Sequence, residues 1–231
     1  MLFIVSTPIG NLKDITFRAV ETLRTVDLIA AEDTRHTHIL CQHYDITTPL
    51  TSYFEHNQVS KGAYILKQLQ EGKNIALVTD AGTPGISDPG YQLIALAKKN
   101  NISITVIPGA TALITALSYS GLPTDRFVFE GFLPVKTHGR RKKLEEFKTE
   151  SRTVIFYESP HRILKTLEDM KEVLNDPHIV VARELTKKFE EIKEGKASDL
   201  IKEFEKSAPR GEFVLLLNNR NLEEREFLCR K

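Results

Sequence analysis

The sequence predicts an α/β fold of two α/β domains, and three features predict it. Short runs rich in Val, Ile and Leu alternate with segments of helical period, the pattern of sheets with crossover helices. The alternation breaks once, at Gly121-Leu-Pro123, and then resumes. At 231 residues the chain is long for one core and comfortable for two. The boundary is therefore expected within 119–125. It divides the chain into residues 1–121, residues 122–220 and a charged tail at 221–231, with a cleft between the halves.

Taken in order, the first half offers strands at Leu2–Ser6, Leu28–Ala31, Ile75–Thr79 and Ser103–Ile107. Val59, Ala63, Leu66 and Leu69 recur at helical spacing, and Gly72 supplies a stop. Asp88-Pro89 reads as an N-cap and first helical residue. The second half offers strands at Phe127–Glu130, Thr153–Tyr157, Ile179–Arg183 and Phe213–Leu217. A helix over 160–174 carries Ile163, Leu167, Met170 and Leu174 on one stripe. Ser159 is its expected N-cap, and Pro160 suits a first turn in which its missing N–H costs nothing.

Composition narrows the function. Hydrophobic residues make up 41% and charged residues 27%, the proportions of a globular protein. No apolar run approaches the roughly 20 residues a bilayer span requires. The start, Met-Leu-Phe-Ile-Val-Ser, has no basic region ahead of its apolar residues and reads as a strand rather than a leader. Cys41 and Cys229 form no CxxC or disulfide framework, so a cytoplasmic location is expected. Net charge is only +1, so no global field announces a nucleic-acid partner. Charge is local instead: Lys136, His138, Arg140, Arg141, Lys142 and Lys143 follow Pro134 closely.

In open α/β sheets ligands bind beyond the C-terminal ends of strands. Four loops there are richer in Gly and Pro than a connector needs: Ser6–Asn11, Asp80–Gly90, Pro108–Ala112 and Glu158–Arg162. Glycine lets backbone approach a ligand, and proline stiffens the loop. Asp80 follows its strand directly and can accept hydrogen bonds from hydroxyl or ammonium groups. No GxGxxG, GxxxxGK[ST] or GxSxG is present, which argues against a dinucleotide Rossmann site, a P-loop and a hydrolase elbow. His36, His38 and His43 lack a spaced partner set for a metal, and no metal is expected.

The order and spacing of these loops carry a resemblance over about residues 3–217. The marks are Thr7-Pro-Ile-Gly-Asn-Leu12, Ala31-Glu-Asp-Thr-Arg-His36, Glu55-His-Asn57, Asp80–Gly90, Pro108-Gly-Ala-Thr-Ala-Leu113 and Gly121-Leu-Pro-Thr-Asp-Arg126. They continue with Phe129-Glu-Gly-Phe-Leu-Pro134, Phe156-Tyr-Glu-Ser-Pro-His-Arg162, Ala182-Arg-Glu-Leu-Thr-Lys187 and Arg210-Gly-Glu-Phe213. Together they resemble the tetrapyrrole-methylase class of S-adenosylmethionine-dependent methyltransferases, and within it the bacterial enzymes that methylate the ribose 2′-oxygen of a cytidine in 16S rRNA.

That resemblance implies a homodimer acting on 16S rRNA within the small ribosomal subunit, with S-adenosyl-L-methionine held between the domains. Pro8, Asp80, Ala81, Gly82, Thr83, Pro84, Thr111 and Ala112 would line the cofactor, and Tyr157, Gly211 and Glu212 would close over it. The wider class keeps an acid where Thr83 stands, and Asp80 is the carboxylate nearest in sequence. His56 and Asp33 are the candidate bases for the weakly nucleophilic ribose hydroxyl. Arg35, His36, Arg140, Arg141, Lys142 and Lys143 are the expected RNA contacts. Two rival readings are a small-molecule, tetrapyrrole-type methyltransferase and a non-catalytic RNA-binding module. The first would want an apolar cleft in place of Glu32–His36 and Glu55–Asn57, and the second leaves the cofactor loops without purpose.

Overall fold

The computed structural model describes residues 1–219, so the expected tail at 221–231 lies outside the described residues. The chain divides into two compact units, Met1–Thr111 and the residues from Ala112 onward. This division falls ten residues before the expected break at Gly121. The helix Ala112–Tyr119 accounts for it, because that helix packs with strands of the second sheet.

The first unit is a five-stranded parallel sheet of β1 (Leu2–Val5), β2 (Leu28–Ala31), β3 (Leu50–Ser52), β4 (Ile75–Val78) and β5 (Ile104–Ile107). Its order is β3-β2-β4-β1-β5. Central β4, Ile-Ala-Leu-Val, is buried along its whole length because both of its faces are covered. Ala76 and Val78 join the layer formed by α1 (Phe17–Thr25) and α2 (Thr34–His43). Ile75 and Leu77 join the layer formed by α3 (Gln58–Gln70) and α4 (Tyr91–Lys99). Each fully buried Leu or Ile here contributes roughly 1.5–3 kcal/mol of transfer free energy.

In α3 the inward face is Gly62, Ile65 and Leu69 rather than the expected stripe from Val59. Val59 is 86% exposed, and Ala63 also points to solvent. Gly62 is the residue that periodicity could not credit, since it offers no side chain yet sits against Leu96 and Tyr53. Helix α4 begins at Tyr91 with Gly90 as cap, so Asp88-Pro89 belongs to the preceding loop and not to a cap. A Cβ at Gly90 would lie 2.9 Å from the Gly85 amide nitrogen, which keeps this turn closed.

The second unit contains α5 (Ala112–Tyr119), β6 (Phe127–Phe132), α6 (Thr137–Glu146), β7 (Thr153–Glu158), α7 (Ile163–Val173), β8 (His178–Arg183), β9 (Glu191–Lys196), α8 (Ala197–Phe204) and β10 (Phe213–Leu217). Its sheet order is β6-β7-β10-β8-β9, with only β6 and β7 parallel. Phe213, Leu215 and Leu217 pack against Leu144, Leu167, Met170, Leu200 and Phe204 from α6, α7 and α8. Val214 and Leu216 on the other face of β10 are buried too, and α5 packs with β7 and β10.

The apolar stripe expected on α7 is buried as Ile163, Leu167 and Met170, with Leu174 packed at its edge. The cap differs. The helix starts at Ile163, and the Ser159 carbonyl, not its hydroxyl, accepts the Arg162 and Ile163 N–H groups. Strands β3 and β9 have no counterpart in the sequence reading. Three residues make no period, and Glu-Ile-Lys-Glu-Gly-Lys is a charged edge strand without an apolar alternation.

Candidate functional site

Strands β4, β1 and β5 are neighbours, and the loops after them meet. Thr7 and Gly82 exchange backbone hydrogen bonds, at 2.9 Å from the Thr7 N–H and 3.2 Å from the Gly82 N–H. The Thr7 hydroxyl donates to the Thr79 carbonyl at 3.0 Å. The third loop is held by the Ser6 N–H, which donates to the Ile107 carbonyl at 3.2 Å. A Cβ at Gly109 would lie 2.8 Å from the Ser6 Cβ, so this approach admits only glycine. Gly82, at φ +88°, sits beneath Ile9 and the Ala110 carbonyl. Pro8, Gly82 and Pro84 are buried, Thr83, Thr111 and Ala112 are half-buried, and Ala81, Pro108 and Gly109 are exposed.

Thr83 has a defined partner: its Oγ1 lies 2.8 Å from the Ser6 Oγ, joining the first two loops by a hydroxyl pair. The carboxylates gather beside it. The Glu32 Oε2 accepts from the Thr79 hydroxyl at 2.5 Å and from the Asp80 N–H at 3.3 Å. The Asp80 Oδ1 accepts the Asp33 N–H at 3.1 Å. Burial first, and the adjacent Glu32 charge second, push the Asp80 carboxyl above the ordinary carboxylate range. Glu32 is the member that spacing could not place, because its partners stand 47 and 48 residues away.

In the second unit the residues at the end of β7, after β8 and just before β10 form two groups. The Tyr157 hydroxyl accepts the Leu113 N–H at 3.2 Å near the start of α5, and its ring packs edge-on to Phe129 and Phe132. The Gly211-Glu212 turn rests on Glu184. The Glu184 Oε1 accepts the Glu212 N–H at 3.0 Å, and a Cβ at Gly211, φ +88°, would lie 2.6 Å from the Glu184 Cδ. The Lys187 Nζ donates to Glu184 and Glu212, at 2.9 Å each. Glu158, by contrast, is a buried anchor that accepts from the Thr166 hydroxyl at 2.6 Å and the Ser159 N–H at 2.8 Å.

Residues 1–201 match the family described as Tetrapyrrole (Corrin/Porphyrin) Methylases. The chain belongs to the tetrapyrrole methylases. It is 54% identical over 97% of its length to "Ribosomal RNA small subunit methyltransferase I" of Synechocystis, covering 81% of that protein. A protein of the same name from Escherichia coli O157:H7 is 51% identical, with 97% and 80% covered. Among solved structures, diphthine synthase superposes at TM-score 0.77 with 15% identity, covering 99% of this chain and 93% of that one. Uroporphyrin-III C-methyl transferase from Thermus thermophilus, complexed with S-adenyl homocysteine, superposes at 0.67 with 15% identity, covering 94% and 97%. At these identities the structures speak to the fold alone.

In this tetrapyrrole methylase four of the expected site residues, Asp33, Arg140, Arg141 and Lys143, are engaged by other side chains. Asp33 caps α2, accepting the Arg35 N–H at 2.8 Å and the Arg35 Nη2 at 2.6 Å. Hydrogen bonding to Arg35 lowers its carboxyl to about 2. The Asp33 carboxylate is thus engaged as a helix cap and as the ion-pair partner of Arg35. Arg140 is 3% exposed, its Nε and Nη2 both 2.6 Å from the buried Asp169 Oδ2. It is a core clamp, not an RNA contact. Arg141 is spent on Asp169 at 2.5 Å and Glu172 at 2.7 Å, and Lys143 on Glu130 at 2.9 Å and Glu146 at 3.0 Å. Only Lys142 of the expected four is exposed without an ion pair among the described residues. Asp169 stands 29 residues from Arg140 on α7, and no local pattern pairs them. His36 is exposed, as is His56 on the 3₁₀ turn Glu55–Asn57 beside Phe54, and Arg35 is exposed but bound to Asp33.

Proposed function

We propose that this chain transfers a methyl group from S-adenosylmethionine to the ribose 2′-oxygen of a cytidine in 16S rRNA of the small ribosomal subunit. At the coarser level the chain is a methyltransferase of the tetrapyrrole-methylase family, which uses S-adenosylmethionine. The observation that carries the cofactor reading is the meeting of the loops after β1, β4 and β5. The relatives named for small-subunit rRNA methylation, aligned over nearly the whole chain, support the RNA substrate.

The residues fit such a cofactor. Ala81, Pro108 and Gly109 are exposed and carry no bulky side chains, suited to a planar base, and Asp80 offers a carboxylate for hydroxyl or ammonium groups. When bound, the cofactor supplies the methyl as an electrophilic sulfonium. The protein's task is then alignment and exclusion of water. Pro8, Gly82, Thr83 and Pro84 form a stiff wall, Thr111 and Ala112 end the third loop, and Glu32 fixes the Asp80 turn. Tyr157, Gly211 and Glu212 are the second unit's proposed contribution, made rigid by Leu113 and by the Glu184–Lys187 pair. His56 takes the role of proton acceptor. A homodimer and a cytoplasmic location complete the reading. No helix among the described residues is long and apolar enough to cross a membrane.

The test is methyl transfer from labelled cofactor to small subunits that lack the modification, followed by mapping of the nucleotide. Label on a cytidine ribose is expected, and label on a base or none on RNA would refute the assignment. Sedimentation of the purified protein checks the dimer.

A further inference from the structure

The clamp formed by Arg140 raises the question of what it holds. Its Nη1 donates to the Val135 carbonyl at 3.0 Å, and the Arg162 Nη2 donates to the Leu133 carbonyl at 2.5 Å. Each guanidinium is itself fixed by a buried carboxylate, Asp169 or Glu158. Pro134 between them sits on Gly139, where a Cβ would stand only 3.2 Å from the Pro134 Cβ. The β6–α6 loop is therefore tied at three consecutive residues. Yet it presents apolar surface to solvent: Phe132 is 53% exposed and Val135 75%.

A β-bulge aims the aromatic. Phe129 pairs with Ile155, but Gly131 pairs with Phe156 and Phe132 with Tyr157, so Glu130 is the extra residue. Alternation is thereby shifted by one, and Phe132 lies on the Tyr157 face of the sheet instead of the opposite one. Tyr157 is the residue proposed above for the cofactor.

The surrounding charge is one-sided in what remains free. Glu145 is paired with Lys148, Glu146 and Glu130 with Lys143, and Glu172 with Arg141. Lys136 and Lys142 are exposed and carry no ion pair among the described residues, and His138 is exposed one turn before Lys142. A rigid aromatic flanked by free cations matches the way single-stranded RNA is held, through a base on the ring and phosphates on the ammonium groups. Phe132, Pro134 and Val135 are too few to bury the roughly 800 Å² per partner of a stable protein interface.

We infer that the Phe132–Lys136 loop is the nucleotide platform of this enzyme: an unpaired base of the RNA substrate stacks on Phe132, and its neighbouring phosphates lie on Lys136 and Lys142. The inference rests on the RNA reading above and replaces Arg140 and Arg141 as the contacts. Unmodified small ribosomal subunits are the probe. Phe132→Ala and Phe132→Leu are each expected to weaken subunit binding about tenfold, the loss of one stacked base, while Phe132→Tyr binds as the parent does. Lys136→Ala with Lys142→Ala is expected to reduce the slope of log affinity against log salt by about 1.4. Calorimetry with S-adenosylmethionine should remain within twofold for all of them. Parent-like affinity in folded Phe132→Leu overturns the platform, as does a change in protomer number on sedimentation of Val135→Glu, which would make the loop a contact with a second copy. If the parent itself neither binds nor methylates the subunits, the RNA reading falls and the platform with it.

Discussion

Two side chains at the strand ends show how far environment separates identical chemistry. Asp33 and Asp80 are both carboxylates within one hydrogen-bonded cluster, yet Arg35 lowers the first to about 2, while burial and Glu32 raise the second. For Asp33 the folded value lies below the unfolded one near 3.9, so its contribution is complete above about pH 4 and is lost as pH falls towards 2. Asp33→Asn keeps a capping oxygen and lacks the charge. Its stability deficit in acid titrations is expected to shrink as pH falls towards 2, and methyl transfer should persist where His56, as proposed, accepts the proton. For Asp80 the sign reverses: the folded value is the higher one, so ionisation costs stability as pH rises past the unfolded value near 3.9 and on through the raised folded value. Asp80→Asn is therefore expected to raise Tm above the parent's at neutral pH, with no gain below about pH 4. The same variant should weaken S-adenosylhomocysteine binding about tenfold by calorimetry. Gly109→Ala forces a Cβ onto Ser6 and should cost about 1–3 kcal/mol in urea denaturation, an overpacking loss.

At the scale of elements, the basic stretch on α6 shows why charge in a sequence does not identify a binding face. Lys142 and Arg140 are indistinguishable by composition, and helical rotation sends one to solvent and the other onto Asp169 of α7. Removing Arg140 leaves a buried carboxylate without its partner. Arg140→Ala is accordingly expected to lose about 3–5 kcal/mol in denaturant unfolding, far more than Lys142→Ala, which should change stability by less than about 0.5 kcal/mol. The same rotation explains α3, where Val59 is apolar but outward and Gly62 is blank but inward. Helices α4 and α7 both start later than their Pro-containing approaches imply: Gly90 is the cap of the first, and at the second the Ser159 carbonyl accepts the Arg162 and Ile163 N–H groups. Strands with continuous apolar runs, such as β4 and β10, were legible throughout. β9 was not, since its stability comes from pairing with β8 and not from an apolar face.

For the molecule as a whole, the α/β class and two successive sheets were readable because alternation of element types needs no long-range information. The candidate cofactor wall was readable in part: Gly and Pro after strands mark loops that do something. Their meeting through Thr7, Gly82 and Gly109 depends on the strand order, which places β1 between β4 and β5. The division at Thr111 was hidden for the same reason, since α5 follows the first sheet in sequence but packs on the second. With a net charge of +1, attraction to RNA must come from local cations. Retention on heparin at neutral pH is expected to be weak, and strong retention would point to a basic surface beyond Lys136 and Lys142.

The bulge at Glu130 uncouples chain length from the side on which a ring emerges. Every substitution at that position preserves the count of residues between Phe129 and Phe132, and so preserves the side of the sheet on which the second ring emerges. A single-residue deletion there removes the bulge and leaves the pairs Phe129–Ile155, Gly131–Phe156 and Phe132–Tyr157 in unbroken register, so the ring keeps its face. In this stretch of β6, homologous chains with and without the extra residue should therefore present the second ring on the same side.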